Sequence, residues 1–351
     1  MDTEKTTGIR VPLQQAEKAQ KYLAQNNLLR TDLKSKKTNS HIFFPVKKES
    51  EHIITPYTTV IDTTFEKQRI KPTTYKEILT IPDKLKQDLP TSYDSIGDII
   101  LIKLTKNLLK YKKKIGQSLL ISNTHIKVVC AVQPVSGELR TRQLDIIAGE
   151  HRTQTTHTEY GLHFDLDVKK TYFSPRLATE RRYVTTQVQP GETIVDMFAG
   201  VAPFSIMIAK NAQPKNIYAV DKNKDAIAYA RRNIKKNNVL DKIEVIQADA
   251  KTLPRYFQKQ NIYADRIIMN LPFSAHLFFP YALQIAADPC MIHYYDIVNE
   301  EQIQEKLNSL QQMAQEHKME ITRSKVRRIK TYAPREFYIG IDITAKKQMP
   351  L

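Results

Sequence analysis

From Thr171 onward, short apolar runs alternate with amphipathic stretches. The runs at 193–197, 216–221, 243–247, 265–270 and 290–295 have the length of buried strands. Between them, 203–212, 224–237, 274–287 and 300–316 carry apolar residues at helical spacing. Such alternation predicts βαβ crossovers and a mostly parallel α/β sheet. Two last strand-like segments, near 319–329 and 336–343, have no helix between them and predict an antiparallel hairpin at the sheet edge.

The first half has a different rhythm. Residues 1–66 pair strand-like segments, 8–12 and 41–46, with a helix over 14–30 whose apolar face holds Ala16, Ala19, Leu23, Leu28 and Leu29. A polar stretch ending beyond a proline, 67–74, reads as a linker. Residues 75–172 predict a second α+β unit, with a helix at 75–89, a strand at 98–104, a basic helix at 106–116 and strands at 126–132 and 161–168. The parallel-sheet domain then spans 173–351, preceded by two smaller α+β domains.

Charge changes this picture toward a polyanionic partner. Lys plus Arg number 54 against 37 acidic residues, a formal charge of +17. A basic excess of that size favours nucleic acid. Lys103, Lys106, Lys110, Lys112, Lys113 and Lys114 crowd around Tyr111, and Lys110 and Lys113 are candidates for phosphate contact. The N-terminus lacks a signal-peptide pattern and no run approaches the length of a membrane span, so a soluble, cytoplasmic chain with no membrane partner is expected. Cys130 and Cys290 lie in apolar runs and read as reduced core residues. No Cys/His cluster has metal spacing, and no metal is expected. A monomer is the default expectation.

The chemistry gathers at three strand ends. Asp196-Met-Phe-Ala-Gly-Val-Ala-Pro-Phe204 reads as strand, tight turn and helix start; Tyr-Ala-Val-Asp221 ends the next strand; Asn270-Leu-Pro-Phe273 ends a later one. An α/β sheet binds ligands at the carboxyl ends of its strands, so these should share one crevice. Gly200 permits the turn, Pro203 suits a first helical turn, and Asp221 stands where a carboxylate can accept from ribose hydroxyls. An adenosine-containing ligand follows. A dinucleotide site wants a glycine-rich turn, and here one glycine stands where three are needed. Asp196 would repel a pyrophosphate but suits a cationic sulfonium, and Asp249 could accept from an adenine amino group, so the candidate cofactor is S-adenosyl-L-methionine. Phe198 and Ala199 complete the candidate cofactor turn. Asn270 serves both cofactor and acceptor sides, because Asn-Leu-Pro-Phe resembles the signature of enzymes that methylate nitrogen on planar bases.

Further runs make the resemblance specific. Gly137-Glu-Leu-Arg-Thr-Arg-Gln-Leu-Asp-Ile-Ile-Ala-Gly-Glu150, Tyr172-Phe-Ser-Pro-Arg-Leu-Ala-Thr-Glu-Arg181, Asp196-Met-Phe-Ala-Gly200, Asn270-Leu-Pro272, His293-Tyr-Tyr295 and Tyr332-Ala-Pro-Arg-Glu336 stand in order along the chain. Together they resemble the archaeal and eukaryotic tRNA (guanine-37-N1)-methyltransferase family, with a Rossmann-like class I domain. The first 66 residues match only in arrangement. The resemblance implies methyl transfer from S-adenosyl-L-methionine to N1 of guanosine 37 of tRNA. It places a general base at Glu180, a stabiliser of charge on O6 at Arg140, and an orienting amide at Asn270. A base pocket would draw on Tyr172, Ser174, Pro175, Arg176, Pro272 and Phe273, with Arg327 and Arg328 at phosphate. The N-terminal module would grip the tRNA body. Ala202 stands where the family commonly has glycine and should fit if its φ is negative; Phe273 replaces a lysine of some relatives. Two other readings stay open: methylation of a wyosine precursor, 4-demethylwyosine, at the same position, and a non-catalytic tRNA-binding protein that retains the cofactor fold.

Overall fold

The alternating half of the chain forms one seven-stranded sheet. Its strands are β1 (Thr193–Asp196), β2 (Asn216–Asp221), β3 (Ile243–Gln247), β4 (Ala264–Met269), β5 (Ala286–Asn299), β6 (Met319–Ala333) and β7 (Glu336–Lys347). Their order is β3-β2-β1-β4-β5-β7-β6, parallel from β3 to β5 and antiparallel at β7 and β6. The expected edge hairpin is present, and its second strand is inserted between β5 and β6. Strand order reverses between β1 and β4, and that switch point is where an α/β sheet opens a crevice.

This is a computed structural model, and it describes residues 3–47, 58–67, 74–133 and 143–348. The chain divides into two units, 1–77 and 78–351. In the first, strands Lys36–Lys37, His41–Pro45, Thr3–Pro12 and Thr58–Glu66 form an antiparallel sheet in that order. Helix Ala16–Gln25 seats Ala19 and Leu23 against Ile9, Val11, Phe44 and Val46. The helix stops five residues short of its predicted end, where Asn27 adopts a positive φ of 56°. Most of the expected linker, 68–73, lies outside the described residues.

The helix expected over 75–89 is two short pieces, Tyr75–Ile78, where the two units divide, and Asp83–Lys86 in the second unit. Pro82 explains the break, since its ring excludes the helical conformation at the preceding residue. The basic segment likewise divides into a 3-10 turn, Lys106–Tyr111, and helix Lys112–Ser122, which buries Ile115, Gly116 and Leu119. That helix packs beside a four-stranded sheet, Asp94–Ile96, Ile99–Ile102, Val128–Val132 and Leu144–Gly149. A two-stranded ribbon, Gln154–Glu159 with Leu162–Asp167, follows. Only part of this small sheet was legible, because its edge strands are three and six residues long.

One core crosses the expected 172/173 boundary. Ile99, Leu101, Val128, Phe164 and Leu166 share a buried cluster with Phe173, Val184, Ile194, Val201 and Phe204. Both cysteines are buried and free. The helix expected at 274–287 is a 3-10 turn, Ala275–Leu277, and helix Phe279–Gln284, because β5 begins at Ala286. Among the described residues no helix is long and apolar enough to cross a membrane.

Candidate active site

Three strand ends meet as the βαβ pattern requires. After β1 the chain turns at Gly200, φ 57°, and enters helix Pro203–Asn211. Gly200 donates its amide to Asp221 Oδ2 at 2.7 Å, and the Asn223 amide donates to Oδ1 at 2.8 Å. The carboxylate at the end of β2 is thereby fixed by two backbone donors from the two flanking turns. Burial raises the Asp221 carboxyl, and those amides partly counter it.

Ala202 departs from expectation. It caps the helix at φ 66°, in the left-handed region, rather than at negative φ. For an alanine this conformation costs about 1 kcal/mol. The methyl is fully buried, which offsets a comparable amount.

Asp196, at the end of β1, is the most deeply buried acid of the crevice, 1% exposed. Ser205 donates to its Oδ2 at 2.8 Å, whereas Oδ1 is buried with no hydrogen-bond partner among the described residues. Burial pushes this carboxyl up to about 7, with the nearby Asp221 charge adding to the effect and the Ser205 hydroxyl opposing it. Phe198 packs edge-on against Phe278 at 5.1 Å, Ala199 donates to the Val220 carbonyl at 2.8 Å, and Pro203 is buried in the first helical turn. Asp249 accepts from the Lys251 amide at 2.9 Å and caps a short 3-10 turn.

Glu180 lies on helix Ala178–Thr185, 6% exposed. Tyr295 of β5 donates its hydroxyl to Oε1 at 2.8 Å; Arg327 of β6 donates Nη1 to Oε1 at 2.9 Å and to Oε2 at 2.7 Å. The Arg327 guanidinium also donates Nε and Nη2 to Asp342 of β7 at 3.1 and 2.8 Å, and it stacks 3.9 Å over the Tyr183 ring. Arg327 therefore corrects an expectation: it is turned into the protein as a bridge between two carboxylates and is not placed to hold phosphate. Arg328, one residue on, points to the opposite side of the strand, half exposed and paired with Glu300.

The bridge continues inward. His293 Nδ1 is 2.7 Å from Asp342 Oδ1, and its Nε2 is 2.7 Å from Arg266 Nη1, which holds Glu192 through Nε at 2.7 Å. Since an arginine nitrogen only donates, Nε2 accepts and Nδ1 carries the proton toward Asp342. Burial holds His293 below its ordinary value, with Arg266 and Arg327 contributing and Asp342 opposing. Burial alone would raise Asp342, but His293 and Arg327 outweigh it and hold that carboxyl well below the usual range.

Asn270 accepts from the Tyr338 hydroxyl through Oδ1. Tyr338 and Tyr295 rings lie 6.1 Å apart, and Tyr295 lies 6.0 Å from Phe204, so aromatic packing ties Glu180, Asn270 and the glycine turn into one wall. The backbone oxygen of Tyr172 is 3.7 Å from where a Cβ on Gly200 would sit, which brings the Ser-Pro-Arg-Leu segment to the same wall. Ser174 is buried, its carbonyl taking Arg181 Nη2 at 3.0 Å. Arg181 itself is a buried partner of Glu159. Pro175 is half-buried, whereas Arg176 is turned to Asp94 at 2.7 Å. Pro272 is buried and Phe273 is 53% exposed. Lys110 lies 5.1 Å from the Tyr111 ring centroid and Lys113 is exposed on the basic helix. Arg140 lies outside the described residues.

Sequence reasoning did not assign Tyr295, Tyr338, Asp342, His293 or Arg266. A signal was available, since Asp342, His293 and Arg266 each interrupt an apolar strand run, and a buried charge must find partners.

Comparison with known proteins agrees with this architecture. Three family models match: a tRNA methyltransferase 5 N-terminal domain over residues 8–54, a TYW2 N-terminal domain over 75–153, and a TRM5/TYW2 methyltransferase domain over 155–322. The tRNA (guanine(37)-N(1))-methyltransferase Trm5b of Pyrococcus abyssi is 37% identical over 96% of this chain and 98% of its own length. A solved complex of aTrm5 and tRNALeu superposes with a TM-score of 0.79 and 33% identity, covering 96% of this chain and 99% of that one. The tRNA(Phe) (4-demethylwyosine(37)-C(7)) aminocarboxypropyltransferase of Pyrococcus horikoshii is 32% identical over 80% of this chain and 99% of its own length. With a relative of such identity matched nearly end to end, and with motifs and fold in agreement, the chain belongs to the tRNA (guanine-37-N1)-methyltransferase family.

Proposed function

We propose that this protein methylates N1 of guanosine 37 in tRNA, using S-adenosyl-L-methionine, as a cytoplasmic monomer. The observation that carries the reading is the convergence of Glu180 and Asn270, through the Tyr295–Tyr338 pair, on the turn at Gly200. The residues present fit the cofactor. Asp196 Oδ1, buried and unpartnered, is an acceptor suited to a cationic amino-acid group, and the fixed Asp221 carboxylate suits ribose hydroxyls. Phe198, Ala199, Gly200 and Pro203 would form the turn around it, and Asp249 would serve the adenine. When bound, S-adenosyl-L-methionine supplies an electrophilic methyl group on a sulfonium.

The protein's own part is to make N1 nucleophilic. Guanine N1 carries a proton, and the base that accepts it would be Glu180. Its Oε1 already accepts from Tyr295 and Arg327, whereas Oε2 accepts one bond and keeps a lone pair for the proton. Because Asn270 Oδ1 is taken by Tyr338, its NH2 is the group left to donate to the acceptor edge of the base. Arg140, from the Gly-Glu-Leu-Arg run, would stabilise charge on O6. Tyr172, Ser174, Pro175, Arg176 and Pro272 would frame the base, with half-exposed Phe273 at the outer edge of the pocket; Lys110, Lys113 and Arg328 would meet phosphate.

Asp196 gives a test of the donor site. Its folded value near 7 lies above the ordinary 3.8, so its contribution to stability is full below about pH 4 and is lost as pH rises through 7, by up to about 4 kcal/mol. Asp196→Asn should flatten that slope in urea melts at pH 5 and 8 and weaken S-adenosyl-L-methionine binding about 10-fold or more. Unaltered cofactor affinity would remove Asp196 from the donor site.

The reaction type separates this reading from that of the aminocarboxypropyltransferase relatives. The P. horikoshii relative is matched over 99% of its length while covering 80% of this chain, and the match to a tRNA methyltransferase 5 N-terminal domain favours methyl transfer. With cofactor labelled either in its methyl or in its carboxyl carbon, only the methyl label should reach tRNA; transfer of the carboxyl label would refute the proposal. Residues 1–66 would grip the tRNA body. Deleting them should slow methylation of full-length tRNA more than of an anticodon stem-loop, and an equal loss on both would sink that assignment.

A further inference from the structure

Two aromatic rings stand in water beside the Asn270-Leu-Pro272 turn. Phe273 and Tyr332 are 53% and 52% exposed, and they meet edge to face with centroids 5.6 Å apart at 74°. Each is aimed outward by an irregular backbone. Phe273 has φ 73°, which a bulky side chain rarely adopts, and its amide is held by Asp296 Oδ1 at 3.0 Å. Asp296 is 2% exposed and is itself fixed by the Ile297 amide at 2.9 Å, the Tyr294 hydroxyl at 3.1 Å and Lys306 at 2.9 Å. Tyr332 sits in a register shift between Thr331 and Ala333, where the bulged strand turns a residue out of the β6–β7 ladder. A strained residue persists only where its surroundings over-determine it, and such strain gathers at functional sites. Here two independent backbone devices present a pair of rings that nothing in the core requires.

The strand that carries Tyr332 and the hairpin tip beyond it also carry cations. Arg328, 52% exposed in its side chain, stacks 4.6 Å over Phe337; Lys330 lies 5.1 Å from the Tyr338 ring, and Arg335, 77% exposed, is at the hairpin tip. Flat, exposed apolar faces beside a strand and hairpin tip that carry cations suit an unstacked nucleobase whose phosphates lie alongside.

We infer that Phe273 and Tyr332 form a stacking platform for a nucleotide flanking the target guanosine in the anticodon loop. This rests on the proposed tRNA substrate. Taking the target base out of its stack exposes the faces of its neighbours, and the platform covers one of them. The pocket selects the target, and the platform holds the opened loop. No step of methyl transfer passes through either ring.

The test is a set of double-mutant cycles on tRNA affinity, read by equilibrium titration with S-adenosylhomocysteine present. Phe273→Ala and Tyr332→Ala should each weaken binding of an intact transcript roughly 5- to 150-fold. Transcripts lacking the base on one or the other side of guanosine 37 identify the partner. With one of them, the alanine variants should cause no further loss. Phe273→Gly, which adopts the positive φ without strain, should match Phe273→Ala in affinity while melting no lower than wild type. Phe273→Tyr and Tyr332→Phe should restore binding. Wild-type affinity in both alanine variants would overturn the platform, as would losses that multiply with both base deletions. Because affinity is read apart from turnover, absence of 1-methylguanosine would refute the reaction without deciding the platform.

Discussion

Replacing Glu180 by Gln is expected to slow methyl transfer under single-turnover conditions by about 10²–10⁴-fold while leaving cofactor affinity unchanged. Glutamine keeps the shape of the side chain and an acceptor oxygen for Tyr295 or Arg327, but the remaining end is an NH2 that cannot take a proton. Placement on a helix that buries Arg181, Val184 and Thr185 leaves the carboxylate little freedom to be replaced by a neighbour. Water has little access to a group 6% exposed, which limits solvent as a substitute base. Turnover within threefold of wild type would remove Glu180 from the role, whatever the fate of the family reading.

The second large effect concerns the support of that residue. Arg327→Met should destabilise the fold by about 3–5 kcal/mol, because two buried carboxylates, Glu180 and Asp342, would lose their shared cation. Among the described residues neither has another cation paired with it: His293, the other neighbour of Asp342, is kept from a second proton by Arg266 against its Nε2. Chemical denaturation at pH 7.5 reads this directly, and a loss under 1 kcal/mol would mean that the bridge is not a structural element. The sign of the pH dependence also follows. Asp342 is held below its ordinary value, so its contribution is present above about pH 4 and is lost as pH falls; His293, held below 6.5, contributes above that pH and loses stability on acidification. Asp196 acts in the opposite direction between about pH 4 and 7. Arg327→Met should therefore weaken the acid-side loss and leave the Asp196 slope in place.

The sheet was readable because its signals are local and repeated. β1, β2 and β4 each close on an apolar run that meets Asp196, Asp221 or Asn270, and each crossover helix carries its own periodicity. The turn proposed to hold the cofactor is local in the same way, since Asp196, Gly200, Pro203 and Asp221 lie within one βαβ unit. Elements were misread where two weak signals overlapped, as at Pro82, or where a strand was too short to show alternation, as at Asp94–Ile96.

The site's second half was not local. Arg327 and Glu180 are 147 positions apart, and Asp342 and His293 are 49 apart, so only strand pairing and the packing of a helix on the sheet bring them together. A surface-like sequence, Lys-Val-Arg-Arg-Ile-Lys, gave no hint that one arginine of the pair faces inward. The period-2 alternation of a strand separates the two: Arg328 goes to solvent and Arg327 to the acids. Ala202 is a case of the same kind, since its φ is set by the turn between β1 and its helix and not by its own preference.

The most direct test is nucleoside analysis of an unmodified tRNA transcript after incubation with the protein and methyl-labelled S-adenosyl-L-methionine. Labelled 1-methylguanosine is expected from a transcript with guanosine 37 and none when adenosine replaces it. Label in any other nucleoside, or 1-methylguanosine that survives the replacement, would contradict it.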